Sequence, residues 1–189
     1  MIYWTSTILG AWFLADIISG VVHWWEDRYL TSDSKWWPVA SIAQNNELHH
    51  KKPWAMGEIS AADNIRATMW VGIPFAMILF LNGSPNILWL AVFFSSFGNL
   101  VHRYAHVPIH QRSKLVQFFQ SFGLFISVNH HATHHYDTIT LDEISKEDAS
   151  IRYCAMTNYM NPILDTIRIF PFMEWCLSKI GIYTVGEIK

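Results

Sequence analysis

The sequence predicts an all-α integral membrane protein. It reads as about three transmembrane helices, with interfacial or re-entrant helices beside them and a histidine-rich metal site at their cytoplasmic end. Three observations predict this. The chain of 189 residues is 51% apolar and only 15% charged, whereas soluble domains carry about 25% charged residues. The apolar residues fall into long stretches. The 10 histidines collect around the ends of those stretches, in a chain where other polar types are scarce.

The first apolar stretch, about Ile2 to Trp25, is long enough for a hydrocarbon core of roughly 30 Å. It has neither the basic start nor the small-residue cleavage site of a secretory signal, so it reads as a retained membrane helix. Ala67 to Leu81 and Ile87 to Val101 flank Asn82-Gly83-Ser84-Pro85, a turn signal. They read as a helical hairpin that spans when its flanks are counted. Leu115 to Val128 is shorter and carries Gln117 and Gln120. Basic residues lie between the first and second stretches (Arg28, Lys35, Lys51, Lys52, Arg66) and after the third (Arg103, Arg112, Lys114). The N-terminal tail and the Asn82–Pro85 turn have no Lys or Arg, so the positive-inside rule puts them outside and the charged segments in the cytoplasm. If Leu115–Val128 crossed, the last four histidines would emerge opposite the other six. That stretch is therefore expected to lie in the interface, re-enter, or pack beside the other helices. Thr138 to Ser150 reads as a surface loop or short helix. Asn161 to Ile180, interrupted by Pro171, reads as an amphipathic segment on the bilayer or an ordinary core helix. A single domain is expected over residues 1–189.

Several function classes are excluded. A net charge of -2 does not supply the basic face of a nucleic-acid binder. Cys154 and Cys176 are too few for a disulfide framework or zinc knuckle. No HExxH, G-x-S-x-G, P-loop or dinucleotide fingerprint is present, so any electrons required come from a separate protein.

The histidine spacing carries the chemistry. His23 precedes Asp27 by four, His49 and His50 are adjacent, and His102 and His106 are four apart. His130, His131, His134 and His135 form two interleaved pairs, each four apart. Residues four apart share a helical face, with Cβ atoms about 5–6 Å apart. Neutral imidazole is a common metal ligand that suits iron, zinc, copper and nickel. These ten residues exceed the needs of one tetrahedral zinc and fit two metal ions. Asp16, seven before His23 on the same face, is a candidate to orient a ligand imidazole through its second N–H, or else pairs with another helix. Asn99 and Asn129 are further candidates beside the ligands. Glu26, Glu47 and Asp63 read as solvated, and His110, beyond Pro108, as a surface histidine.

These motifs resemble the lipid desaturase family. Leu14-Ala15-Asp16, Ser19-Gly20, His23-Trp24 and Asp27 are similar to its first motif. His49-His50-Lys51-Lys52-Pro53 looks like its HHxxP, followed by Asp63-Asn64. His102–His106 looks like its HxxxH, and His130–His135 its HHxxHH. Tyr153-Cys154, Asn158 and Asn161-Pro162-Ile163-Leu164 resemble its C-terminal segment. The resemblance runs from about Leu14 to Ile180 and departs at Leu48, where the family often has Glu, and at His110. It implies a membrane-bound non-haem di-iron enzyme holding two iron ions. Such an enzyme uses O2 and two electrons to remove two hydrogens from a phospholipid chain near the headgroup. In the plasmalogen branch, the expected one, an alkyl ether of plasmanylethanolamine becomes a vinyl ether. In the plant branch an acyl chain of phosphatidylglycerol gains a trans double bond. The implied partners are the phospholipid substrate, the bilayer and an electron donor such as cytochrome b5 or ferredoxin. The implied location is the bacterial inner membrane, or the endoplasmic reticulum in a eukaryote. The residues alone also admit a zinc-dependent membrane lipid hydrolase, in which the metal activates water. A metal or proton carrier is disfavoured, because only Asp16 lies deep in the apolar region. Arg66, Arg103 and Lys51 either hold lipid phosphate or set topology.

Overall fold

The computed structural model describes residues 2–139 and 152–185. These form ten α-helices and no strand. The helices are α1 (Ile2–Tyr29), α2 (Trp37–Lys51), α3 (Trp54–Glu58), α4 (Ala61–Leu81), α5 (Asn86–Ser95), α6 (Gly98–His106), α7 (Lys114–Ser121), α8 (Val128–Ile139), α9 (Met160–Thr166) and α10 (Ile169–Lys179).

Helix α1 continues a turn beyond the expected Trp25, so His23 and Asp27 sit four apart inside one uninterrupted helix. Helix α4 starts at Ser60, whose hydroxyl accepts the Asp63 N–H, an N-cap that satisfies an otherwise orphaned donor. Among the described helices, α1 and α4 are long and apolar enough to cross a membrane. The outer face of α4 is apolar, with Trp70, Val71, Phe75 and Ile78 exposed.

The expected third span is divided into α5 and α6, and the division lies at Ser96. Its hydroxyl bonds back to the Val92 carbonyl at 3.1 Å, and its N–H reaches the carbonyls of Val92 and Phe93. Its own carbonyl accepts the Thr68 hydroxyl of α4 at 2.6 Å. Gly72 of α4 faces the same residue, and a Cβ there would lie 2.0 Å from Ser96 Oγ. Gly10 abuts Ile87 at the start of α5, and His23 meets His102 of α6. So α5 and α6 together run parallel to α1, while α4 returns antiparallel through the Asn82–Pro85 turn. Fully buried Ala11, Ala15 and Ala91 are the small residues that let such helices approach closely.

Helix α7 is eight residues, about 12 Å long at 1.5 Å per residue, too short to cross. Gln120 is buried at its end. It accepts from Arg112 at 2.8 Å and donates to the carbonyls of Tyr104 and Ile126. The chain then turns, and Ile126 N–H bonds the Met156 carbonyl at 2.7 Å. Expected to interrupt the C-terminal segment, Pro171 instead lies in the first turn of α10, where its missing N–H costs nothing. The break falls earlier, at Arg168, whose φ is 53°. Phe170 packs against Trp24 in a cluster with Tyr153, Cys154 and Leu164, so α10 has one face on α1 and leaves Phe172 and Trp175 exposed. Of the expected loop Thr138–Ser150, the first two residues close α8 and the rest lies outside the described residues.

Gly72→Ala should force Ser96 away from α4 and destabilise the fold by about 1–3 kcal/mol, the usual cost of overpacking. The thermal midpoint of the detergent-solubilised protein checks this.

Candidate metal centre

Four segments deliver the ligating residues to one end of the helices. Helix α1 carries His23 and Asp27, and the last turn of α2 carries His49 and His50. Helix α6 carries His102 and His106, and α8 carries His131, His134 and His135. They form two groups. His49, His102, His106, His131 and His135 make one; His23, Asp27, His50 and His134 make the other. Successive residues diverge by about 100° around a helix, so adjacent His49 and His50 serve different groups, as do His134 and His135.

Within each group the ligand atoms lie within 4.8 Å of one another. In the first, His102 Nε2 is 2.6 Å from His131 Nε2, which is 2.9 Å from His135 Nε2; His106 Nε2 is 3.2 Å from His102 Nε2. In the second, Asp27 Oδ1 lies 3.0 Å from His50 Nε2, and Oδ2 lies 3.3 Å from His134 Nε2 and 3.6 Å from His23 Nε2. The groups adjoin: the His23 and His102 rings are 5.4 Å apart, and those of His50 and His135 are 5.1 Å apart.

Burial pushes the His49, His131 and His135 rings below the ordinary histidine range, and the neighbouring imidazoles add to it. The rings are therefore neutral at physiological pH, which is the ligating form. A neutral imidazole has one donor and one acceptor nitrogen, so a cluster of facing nitrogens cannot satisfy itself. His23 Nε2, both ring nitrogens of His49 and Asp27 Oδ2 are buried without a hydrogen bond among the described residues. Such atoms are costly unless paired. N and O ligands at about 2.0–2.2 Å from one ion span up to about 4.4 Å, so small shifts would close each group on a cation. The residues fit two metal ions.

Nine of the ten expected ligands are brought together, and His130 is not among them. Its Nε2 lies 3.2 Å from Asn161 Nδ2, because His131, His134 and His135 already occupy the buried side of α8. Asn129 and Asn99 are exposed, so neither supports a ligand; each sits off the buried stripe of its helix. Asp16 is fully buried but touches no imidazole. It accepts from the N–H groups of Met156 and Thr157 and from the Thr157 hydroxyl. His110 is exposed, as expected, and so are Glu47 and Asp63, whereas Glu26 is half-buried. Of the phosphate candidates, Arg103 donates to the Gly57 and Ile59 carbonyls, Lys51 pairs with Glu47 and Arg66 with Asp63.

Two supporting groups escaped sequence reasoning. Asn46 donates to Asp27 Oδ1; its place one turn before His50 was the available signal. The Tyr153 carbonyl lies 3.0 Å from His23 Nδ1, and a backbone atom leaves no such signal.

The family described as lipid desaturase domain matches residues 12–184. The chain is 28% identical over 173 residues to fatty acid desaturase 4-like 2, chloroplastic, of Arabidopsis thaliana, covering 89% of this chain and 57% of that protein. It is 28% identical over 170 residues to a probable fatty acid desaturase of Acanthamoeba polyphaga mimivirus, covering 88% and 78%. It is 24% identical over 177 residues to the plasmanylethanolamine desaturase of Myxococcus xanthus, covering 89% and 58%. The chain thus spans a little over half the length of these plant and myxobacterial relatives. No solved structure gives a significant match.

His131→Ala should remove about one metal ion per chain from the purified protein, by elemental analysis, because it takes a ligand from a closed group. His110→Ala should leave the metal content unchanged.

Proposed function

This chain belongs to the lipid desaturase family, and on that premise we propose that it is a membrane-bound, O2-dependent desaturase. Its substrate is a phospholipid chain close to the headgroup, foremost the alkyl ether of a plasmanylethanolamine, which becomes a vinyl ether. The observation that carries this reading is the pair of adjoining, buried donor groups, eight imidazoles and one carboxylate. Such donors suit iron, and two irons held there would supply, with O2, the oxidant that an unactivated C–H bond requires and side chains lack. The lipid loses two hydrogens as a carbon–carbon double bond forms. With two electrons from a donor such as cytochrome b5 or ferredoxin, and two protons, O2 leaves as two waters.

The protein's part is placement and exclusion. Asn46 and His50 hold Asp27 through Oδ1, which leaves Oδ2 toward His23 and His134. His131 and His134 are each 1% exposed, and such burial limits contact with bulk water and side reactions. The clustering of basic residues near the histidines favours a centre on the cytoplasmic side, at headgroup depth. Desaturation of an acyl chain, as of phosphatidylglycerol, is the second reading. It is supported by the higher identity to proteins named fatty acid desaturases.

Cells expressing the protein and fed alkyl-ether lipid should accumulate acid-labile vinyl ether only when O2 is present. A new acyl double bond without vinyl ether selects the second reading. His102→Ala and His134→Ala should each abolish product while the protein still reaches the membrane. Purified protein should hold about two irons per chain; zinc alone, with no O2 dependence, overturns the desaturase reading in favour of a hydrolase.

A further inference from the structure

Residues 153–157 form a strap along one face of α1, and four residues of that face meet it. Asp16 is 0% exposed. Its Oδ1 accepts the N–H groups of Met156 at 2.8 Å and Thr157 at 3.0 Å, and its Oδ2 accepts the Thr157 hydroxyl at 2.6 Å. Ser19 Oγ accepts the Ala155 N–H at 3.2 Å. Gly20 allows backbone-close approach, since a Cβ there would lie 2.6 Å from Cys154 Sγ and 3.2 Å from its nitrogen. His23 Nδ1 lies 3.0 Å from the Tyr153 carbonyl. From the other side, Asn161 brackets Cys154, accepting its N–H and donating to its carbonyl, both at 2.8 Å.

A carbonyl only accepts, so the proton of His23 sits on Nδ1. That leaves the Nε2 lone pair facing the Asp27 carboxylate, within the group that also holds His50 and His134. The partner of one ring nitrogen decides what the other can ligate. Here that partner is a main-chain atom, and what holds it in place is the carboxylate seven residues earlier on the same helix. The five-histidine group takes its ligands from α2, α6 and α8 instead.

We propose that Asp16 is a positioning residue: through the strap and the Tyr153 carbonyl it holds His23 as the Nδ1–H tautomer with Nε2 presented to the His23, Asp27, His50 and His134 group. This rests on the two-metal reading above. It makes a prediction that a general structural role does not, namely that disturbing Asp16 damages one metal group and spares the other. Asp16→Ala removes the acceptor of all three hydrogen bonds. Thr157→Val removes one of the three donors and keeps the shape.

The test is anaerobic titration of the purified full-length apoprotein with isotopically enriched ferrous iron, read by affinity and Mössbauer spectroscopy. The wild type should show two iron environments. Asp16→Ala should weaken iron binding at one of them by about 10–100-fold, with the other keeping its affinity and spectral parameters. Thr157→Val should act at the same environment, several-fold less strongly; if Asp16→Ala fails to fold, this variant decides. Wild-type iron binding in the variants overturns the proposal, and so does equal weakening of both environments. A wild-type protein that binds no pair of irons overturns the two-metal reading, and this inference with it.

Discussion

Nine candidate metal ligands, eight imidazoles and one carboxylate, come from four separated segments to one end of a helical bundle. A buried imidazole nitrogen without a partner is unfavourable, and here several face one another at hydrogen-bonding distance or less. That convergence constrains the whole fold. Helix α1 must continue to Tyr29 so that Asp27 reaches the same level as His23. Helix α2 must end, not begin, at the centre. Helix α7 must stay short, because a crossing there would carry α8 and its three ligands to the far end. The return of α5 and α6 parallel to α1 brings His102 beside His23.

Asp16 and Asp27 show how one helix gives the same side chain two roles. Asp27 is surrounded by imidazoles and the Asn46 amide, and is placed to meet a cation. Asp16 accepts hydrogen bonds from Met156 and Thr157 of the strap, and no imidazole reaches it. The difference lies in what each carboxylate faces. Buried carboxylates that accept several hydrogen bonds hold structure firmly, and the strap they fix carries the carbonyl on which His23 depends.

The surroundings match the chemistry. Most of the candidate ligands are buried, while α4 presents exposed apolar side chains such as Trp70, Val71 and Phe75. Among the basic residues near the centre, Arg103 is engaged locally, on the Gly57 and Ile59 carbonyls.

Apolar patterning along the chain was enough to place the first helix, the hairpin turn and the histidine groups, because helical register and turn chemistry are local, while α2 and α3 carry no long apolar stretch and went unread. It could not separate His130 from its three neighbours on α8, nor say which partners adjacent His49 and His50 would each meet. Which faces meet is decided by contacts between residues far apart in sequence. The break at Ser96 likewise lies against Thr68 and Gly72 of another helix. Asp16 was legible as a buried polar residue near His23, but its partners lie about 140 residues away. The group that orients His23 is a main-chain carbonyl, which every residue type carries alike. The sequence alone thus nominated the side chains that could bind metal, with His130 among them. The tertiary structure decided how they divide and what holds them, because that depends on non-local packing and on backbone atoms that leave no mark in residue identity.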